Sequence, residues 1–381
     1  MIYLDYAAST PMSELARQVY IKVAADYFGN ASSLHDAGSE ARQLLKASAK
    51  TIALTLNVHA EDIHFTSGAS EGNYLAITAL LAGCEKPGKH ILTSQLEHSS
   101  VRGVFEKLEQ EGYDVTWLPV NEYGEIEPER VIAELREDTV FASIQYVNSE
   151  IGTIQNISEL GDIFKENGTI FHTDAVQAYG KIRFDVTRLN VDALTISAHK
   201  IYGPKGVGAV WINPKTNWLP LLPGASQSKE LKSGTINVPG IAAFAAAAKE
   251  VHAGLEEESA RFNGLRQEII SGLDRAGIKY VREGNPENVV PNILGLRFPG
   301  MEGQYLMLEC NQAGLAISTG SACQVGSDKP NTTMLAIGRN EQEAREFVRL
   351  SFGRFLKEED VGEIIHKIDV ILARHFSKVK F

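Results

Sequence analysis

The run Ala193-Leu194-Thr195-Ile196 leads directly into Ser197-Ala198-His199-Lys200-Ile201-Tyr202-Gly203-Pro204-Lys205-Gly206. Its first four residues are apolar or β-branched and read as a buried strand. The strand then delivers a small hydroxyl, an imidazole and a lysine within four residues, and Gly203-Pro204 breaks the backbone. A lysine leaving a buried strand end stands where desolvation works against its charge, and a neutral amine can attack a carbonyl to form a Schiff base. A lone lysine after a strand is ordinarily a surface residue. What changes the reading of Lys200 is the company the rest of the chain supplies.

The chain has 381 residues, more than one core of ordinary size organises, so a large domain with a smaller partner is expected. Hydrophobic residues make up 44% and charged residues 22%, the balance of a soluble globular protein. With 37 basic against 48 acidic residues the net charge is −11, which argues against nucleic acid as a direct partner. The three cysteines, Cys84, Cys310 and Cys323, form no close pair and no CxxC. That speaks against a disulfide framework and a cysteine-based zinc site, and fits a reducing cytoplasm. There is no HExxH, no Cys/His ligand cluster and no GxxxxGK[ST], so no metal site is expected. Gly206-Val207-Gly208 lacks the third glycine of a dinucleotide fingerprint. The N-terminus lacks the basic-then-apolar pattern of a signal peptide, and no run approaches membrane-spanning length, so no membrane partner is expected.

Outward from the lysine, short apolar runs alternate with helical patterns. Runs at 63–66, 91–93, 115–118 and 140–146 precede helical stretches over 71–82, 100–111, 128–136 and 158–166, and a further run covers 170–173. Another strand is expected at 207–212. Alternation of this kind predicts a mostly parallel sheet with helices on both faces. Residues 240–276 read as one nearly continuous helix, kinked at Gly254. Beyond it, strands at 289–298, 316–319 and 347–352 mix with helices at 302–313, 341–346 and 358–375. The expected division is a large domain over 13–250 and a small α+β domain over 251–381, with residues 1–12 packed on the small domain.

In open α/β sheets, ligands bind outside the carboxyl ends of the strands. Ser67-Gly68-Ala69-Ser70-Glu71 follow the first run: glycine and hydroxyls opening a helix, whose free N–H groups and dipole suit a phosphate. A plain capped turn explains that stretch about as well. Glu97-His98-Ser99-Ser100 follow the second; the imidazole could stack on a ring or shuttle protons, and alone would read as a cap. Asn148-Ser149-Glu150-Ile151-Gly152 and Asp174-Ala175-Val176-Gln177 follow the next two ends. A carboxylate buried there needs a cationic partner or takes up a proton. Five strand ends thus carry a phosphate-type turn, a histidine, an amide, an acid with a glutamine, and a lysine. Together they fit pyridoxal 5'-phosphate, which needs a Schiff-base lysine, an acid beside its pyridinium nitrogen and a phosphate cradle.

Carrying these residues, the chain resembles the NifS/IscS-type cysteine desulfurases of the class-V aminotransferase family. The resemblance covers essentially the whole chain. It rests above all on the lysine segment and on Ser318-Thr319-Gly320-Ser321-Ala322-Cys323, with Tyr3-Leu4-Asp5-Tyr6-Ala7-Ala8, Leu96-Glu97-His98, Ser233-Gly234-Thr235 and Arg349-Leu350-Ser351-Phe352-Gly353-Arg354 in support. It implies the α/β, PLP-dependent transferase fold type I: a large domain with a mostly parallel sheet of the seven-stranded type flanked by helices, plus a smaller α+β domain bearing a catalytic cysteine loop. By position, Lys200 would carry the cofactor, His98 stack on its ring and help move protons, Asp174 pair with the ring nitrogen, and Gln177 donate to the phenolic oxygen. Ala69, Ser70, Ser197 and His199 would hold the phosphate, and Thr235 would reach the phosphate of a neighbouring subunit, which implies a homodimer. Asn148 and Ser149 would lie at the cofactor, Asn148 also at the substrate, and Arg349 would fork the substrate carboxylate. Lys205 resembles the family's second, non-catalytic lysine.

The resemblance also implies the reaction. Cys323 sits among small polar residues and reads as a loop thiol, although cysteines are usually buried. Its thiolate would take the sulfur of L-cysteine, releasing L-alanine and keeping a persulfide for an acceptor protein: an iron–sulfur scaffold, an apo iron–sulfur enzyme or a thiolation enzyme. The long cysteine loop resembles the IscS/NifS group rather than the SufS group. Cys310 reads as core, and Cys84 is assigned nothing. The chain departs from the family in three places: Ser149 stands for a second asparagine, Pro223-Gly224-Ala225-Ser226-Gln227-Ser228-Lys229 for a glycine-rich segment, and Lys232 for an arginine. A selenocysteine lyase, or another pyridoxal-phosphate enzyme of the same fold, is the alternative reading; a catalytically idle binding subunit is a third, which the presence of both Lys200 and Cys323 disfavours.

Overall fold

The computed structural model describes residues 1–220, 231–320 and 330–378. After β1 (Ile2–Tyr3) the chain builds a seven-stranded sheet from β2 (Ile63–Thr66), β3 (His90–Ser94), β4 (Asp114–Leu118), β5 (Thr139–Gln145), β6 (Ile170–Asp174), β7 (Ala193–Ser197) and β8 (Gly208–Ile212). Their spatial order is β2-β8-β7-β6-β5-β3-β4. Strands β3 to β7 run parallel, and β8 is antiparallel to both β7 and β2. Six of the seven strands therefore point their carboxyl ends at one edge, where the sequence placed its polar residues. β5, β7 and β8 are buried at every position, as strands covered on both faces are.

The helices of this layer are α1 (Glu14–Asp26), α2 (Asp36–Leu56), α3 (Ala69–Gly83), α4 (Ser99–Gln110), α5 (Pro128–Glu134), α6 (Ile157–Asn167) and α7 (Val238–Ala253). Ser13 caps α1 by accepting from the Ala16 N–H. The long pattern over 240–276 is two helices, α7 and α8 (Leu255–Arg275), which meet at Gly254. They serve different cores. Ile241, Phe244 and Val251 of α7 join the core of the large sheet, whereas Phe262, Leu265, Ile269 and Leu273 of α8 join a second one.

That second core is completed by the antiparallel sheet of β9 (Val281–Glu283), β10 (Ile293–Arg297) and, later in the chain, β12 (Phe347–Ser351). α9 (Gly303–Gln312) and α12 (Asp360–Lys378) cover it, whereas α10 (Thr332–Ala336) and α11 (Glu341–Arg345) pack in a smaller cluster with Leu96, Ile151 and Phe347. The strand expected over 289–298 contracts to β10 because the residues before it turn back onto the large sheet: Val290 N–H donates to Gly152 O. The one expected over 316–319 contracts to β11 (Leu315–Ala316), which pairs with β1 in parallel. β9 escaped the sequence reading because three residues carry too little alternation to register. Residues 1–12 pack on both units: Leu4 enters the second core, Tyr6 and Ala7 the first.

Candidate active site

The carboxyl edge of the sheet opens into a cavity of about 540 Å³. One end is the start of α3. Gly68 precedes that helix at φ +146°, a conformation L side chains rarely adopt, and no side chain caps the helix. Ala69 and Ser70, which line the cavity, thus lead with N–H groups that the helix itself cannot satisfy. β8 presses close behind: a Cβ on Gly208 would come within 2.9 Å of Gly68 Cα. Glu71 places a carboxylate at the same end, but Lys232 donates to both its oxygens at 2.8 and 3.0 Å. Burial raises the Glu71 pKa, yet Lys232 and the Ser67 N–H outweigh it and hold the carboxyl below its ordinary value. Ser197 ends β7 beside this region; its Oγ is buried and has no hydrogen-bond partner among the described residues. His199 lines the cavity, and burial, then Lys200, bring its pKa down to about 4, so the ring is neutral near pH 7.

Asp174, at the end of β6, is 7% exposed and faces the same cavity. Its Oδ1 accepts from the Val176 N–H at 3.0 Å and its Oδ2 from Asn73 Nδ2 at 2.8 Å. Asn73 Nδ2 also donates to Ser100 Oγ at 2.9 Å, and Ser100 Oγ lies 2.8 Å from His98 Nδ1. The Ser100 backbone N–H points at the same nitrogen at 3.2 Å. A backbone N–H can only donate, so Nδ1 is the acceptor and the neutral ring carries its proton on Nε2. Burial lowers the His98 pKa, Asp174 opposing it. Asn73 was missed by the sequence reading, which gave Ser100 no role of its own. The available signal was spacing, since Asn73 follows Ala69 by four residues and so shares its helix face.

Lys200 reaches the cavity in a 3-10 turn after β7, and its Nζ donates to Ala7 O at 2.6 Å and Ala8 O at 2.9 Å. The N-terminal stretch is therefore part of the site. Thr10 fastens it: its N–H and Oγ both donate to His199 O at 2.9 Å, and its Oγ accepts from the Tyr202 N–H at 2.7 Å. Those contacts hold Tyr202 at φ +64°, a strained value for a tyrosine two residues from the lysine. Gln177 donates to Ala7 O at 2.9 Å and accepts from Lys181 Nζ, which fixes the orientation of its amide.

Arg349 of β12 enters from the second unit and is 3% exposed. Its Nη2 pairs with Asp5 at 2.6 Å, its Nη1 donates to Ser149 O at 2.9 Å, and its buried Nε has no partner among the described residues. Ser149 lines the cavity. Asn148 is not among the lining residues: its Oδ1 accepts from the N–H groups of Glu150 and Ile151, both at 2.9 Å, and so shapes the turn. Thr235 borders a neighbouring cavity of about 350 Å³ that shares Ser67 and Gly206 with the first. Cys323 lies outside the described residues, as does the altered segment 223–229. Cys310 is fully buried in α9, where burial pushes its thiol up to about 12, and Cys84 is half-buried at the end of α3. Among the described residues no three His, Cys, Asp or Glu side chains are grouped to hold a metal ion, and no helix is long and apolar enough to cross a membrane.

Three comparisons bear on this arrangement. Residues 2–364 match the family described as aminotransferase class-V. A protein of Bacillus subtilis (strain 168) that carries the name NifS is 43% identical, over 97% of this chain and 94% of its own. The Archaeoglobus fulgidus protein named cysteine desulfurase IscS 1 is 36% identical, over 98% and 97%. A solved structure titled NifS-like protein superposes with a TM-score of 0.91 at 31% identity, covering 98% of this chain and 99% of that one.

Proposed function

The chain belongs to the class-V aminotransferase family, and from that premise we propose that it is a cysteine desulfurase that uses pyridoxal 5'-phosphate. The observation that carries the reading is the convergence of Lys200, Asp174, His98 and Arg349 on one cavity with the uncapped start of α3. The residues suit the cofactor. The free N–H groups of α3 and the unpartnered Ser197 hydroxyl are donors for a phosphate. Asp174 is held by neutral donors alone, which leaves its carboxylate to face a protonated ring nitrogen. When bound, pyridoxal phosphate supplies an electron-withdrawing ring that stabilises negative charge on the substrate carbon.

The chain's own groups do the rest. Lys200 would hold the cofactor, and Gln177, its amide fixed by Lys181 and Ala7 O, would present its remaining N–H to the ring. Arg349 offers its unpartnered Nε and a terminal nitrogen to the substrate carboxylate, with Asp5 and Ser149 O keeping the guanidinium in place. His98 presents Nε2–H for proton movement. The Cys323 thiolate attacks the sulfur of the substrate. Overall, L-cysteine and the Cys323 thiol become L-alanine and a Cys323 persulfide. One S–S bond replaces one C–S bond and the carbon takes the thiol proton, so no oxidant is consumed. An acceptor protein of iron–sulfur assembly or thiolation, or a dithiol reductant, then removes the terminal sulfur.

The same reading makes the enzyme a cytoplasmic homodimer in which Thr235 reaches the partner's phosphate. It divides the chain into a large domain, 13–250, and a small one, 1–12 with 251–381; the separate cores served by α7 and α8 support a boundary near 250, while residues 1–12 pack on both. The test is alanine formed from L-cysteine with a dithiol present. Wild type is expected to be yellow and active, Cys323→Ala yellow but at least about 100-fold slower, and Lys200→Ala colourless and slower still. Undiminished turnover in Cys323→Ala would discard the persulfide route in favour of a selenocysteine lyase or another reaction.

A further inference from the structure

Gly320 and Asn331 flank in sequence the stretch that bears Cys323, and Glu150 meets both of them. The chain approaches that segment along β12: Arg349 N–H donates to Ser318 O at 2.6 Å and Ser318 N–H to Arg349 O at 3.1 Å. Ser318 Oγ then accepts from the Gly320 N–H and donates to Gly320 O, at 3.3 and 2.9 Å. On the far side, Asn331 starts α10. Its Oδ1 caps the helix by accepting from the Met334 N–H at 2.9 Å. Its Nδ2 donates to Glu150 Oε2 at 2.9 Å and to Thr319 O at 3.3 Å. Glu150 is 5% exposed and belongs to the turn after β5 that Asn148 braces.

Gly320 is the crossing point. It lines the active cavity, holds φ +117°, and leaves room for no side chain: a Cβ there would come within 2.4 Å of Asn331 Nδ2 and 2.7 Å of Glu150 Oε1. So the segment's two ends meet over one buried carboxylate. Cys323 follows Gly320 by three residues, which extend to at most about 11 Å. The place of Gly320 therefore limits where the thiol can act.

We propose that Glu150 and Asn331 form a clasp that joins the two ends of the Cys323-bearing segment at the cavity wall, and are positioning residues for the thiol. The proposal rests on the desulfurase reading and adds no chemical step to it. Joining the ends lowers the entropic cost of bringing the thiol to the substrate sulfur, and small displacements in such an arrangement cost large factors in rate.

Asn331→Asp keeps the oxygen that caps Met334 but removes the donor and sets a second carboxylate against Glu150. Asn331→Ser also keeps a capping oxygen and is too short to reach Glu150. The pair Glu150→Gln with Asn331→Asp rebuilds the bond with its direction reversed. The readouts are the single-turnover rate of Cys323 persulfide formation, followed by mass spectrometry, the L-cysteine concentration giving half the spectral change, and amide exchange over 318–320 and 331–334. Asn331→Asp and Asn331→Ser should form persulfide about tenfold or more slowly, with half-saturation within about twofold and faster exchange. The double variant should return to within about threefold of wild type. Rates within twofold and unchanged exchange in both single variants, or a double variant no better than Asn331→Asp, overturn the clasp. If wild type forms no persulfide from L-cysteine, the desulfurase reading fails. Exchange at both ends and the rate of Cys323 alkylation by iodoacetamide then decide the clasp: unchanged values in both variants refute it, raised values restored in the double variant uphold it.

Discussion

The contact between Asp174 and Asn73 shows how little separates a functional carboxylate from a destabilising one. Asp174 keeps two donors, and one of them also ties Ser100, and through it His98, to the same network. Asn73→Asp would replace the donor at 2.8 Å by a second carboxylate. Two carboxylates that close share one proton, which raises the pair's apparent pKa. A carboxyl with a raised folded-state pKa stabilises below its unfolded value and loses that stability as pH rises through the folded value. The variant should therefore be only mildly destabilised at pH 5 and lose about 1–3 kcal/mol more by pH 8. Urea unfolding of both proteins at the two pH values measures this; a difference that ignores pH would rule out the shared proton.

At the scale of elements, the site depends on how close α3 lies to the sheet. Gly72 makes the approach possible: a Cβ there would come within 2.9 Å of Thr195 Cγ2 and 3.1 Å of Val210 Cγ2. Gly72→Ala should push the helix outward, weakening the Asn73–Asp174 bond and moving the turn at Gly68–Ser70 together. The expected cost is about 1–3 kcal/mol, with weaker retention of pyridoxal phosphate on dialysis. Gly254, between α7 and α8, is the contrast. It has negative φ and nothing within 4 Å of a Cβ, so Gly254→Ala should be neutral or stabilise by up to about 1 kcal/mol. Thermal melts of the two variants side by side test the pair; equal effects would mean that close packing under α3 is not what matters.

The whole molecule carries its pH response in buried histidines. Burial brings His64 to about 4, His172 to about 3 and His199 to about 4, against 6.5 for an exposed ring. Below 6.5 the unfolded chain takes up protons that the folded one refuses. Stability thus falls with falling pH by up to roughly 1.4 kcal/mol per pH unit for each ring. Glu97 opposes them. Burial pushes its carboxyl from 4.5 up to about 8, so its contribution is full below 4.5 and is lost as pH rises to 8. Between 4.5 and 6.5 three rings outweigh one carboxyl, so stability should rise with pH across that range. His172, held between Ser143 and Thr195 hydroxyls, gives the sharpest check. His172→Asn should reduce the slope of unfolding free energy between pH 4 and 6.5 by about one proton. A wild-type profile flat from pH 5 to 6.5, or parallel profiles for the two proteins, would contradict this assignment.

What the sequence alone determined was the order of strands and helices and the chemistry at each strand end, because burial periodicity and the breaking power of glycine and proline act locally. Lys200, His98, Asp174 and Gln177 were legible for that reason: each ends or closely follows a strand that must carry it to the sheet's edge. Only the tertiary structure decided which distant residues complete the site. The N-terminal Ala7 and Ala8 meet Lys200 across more than 190 positions, Asp5 pairs with Arg349, Lys232 with Glu71, and Glu150 with Asn331. No local pattern announces such pairs. A lone asparagine or aspartate reads as a cap or a turn, and its partner is fixed only when the two cores dock and exclude water from between them.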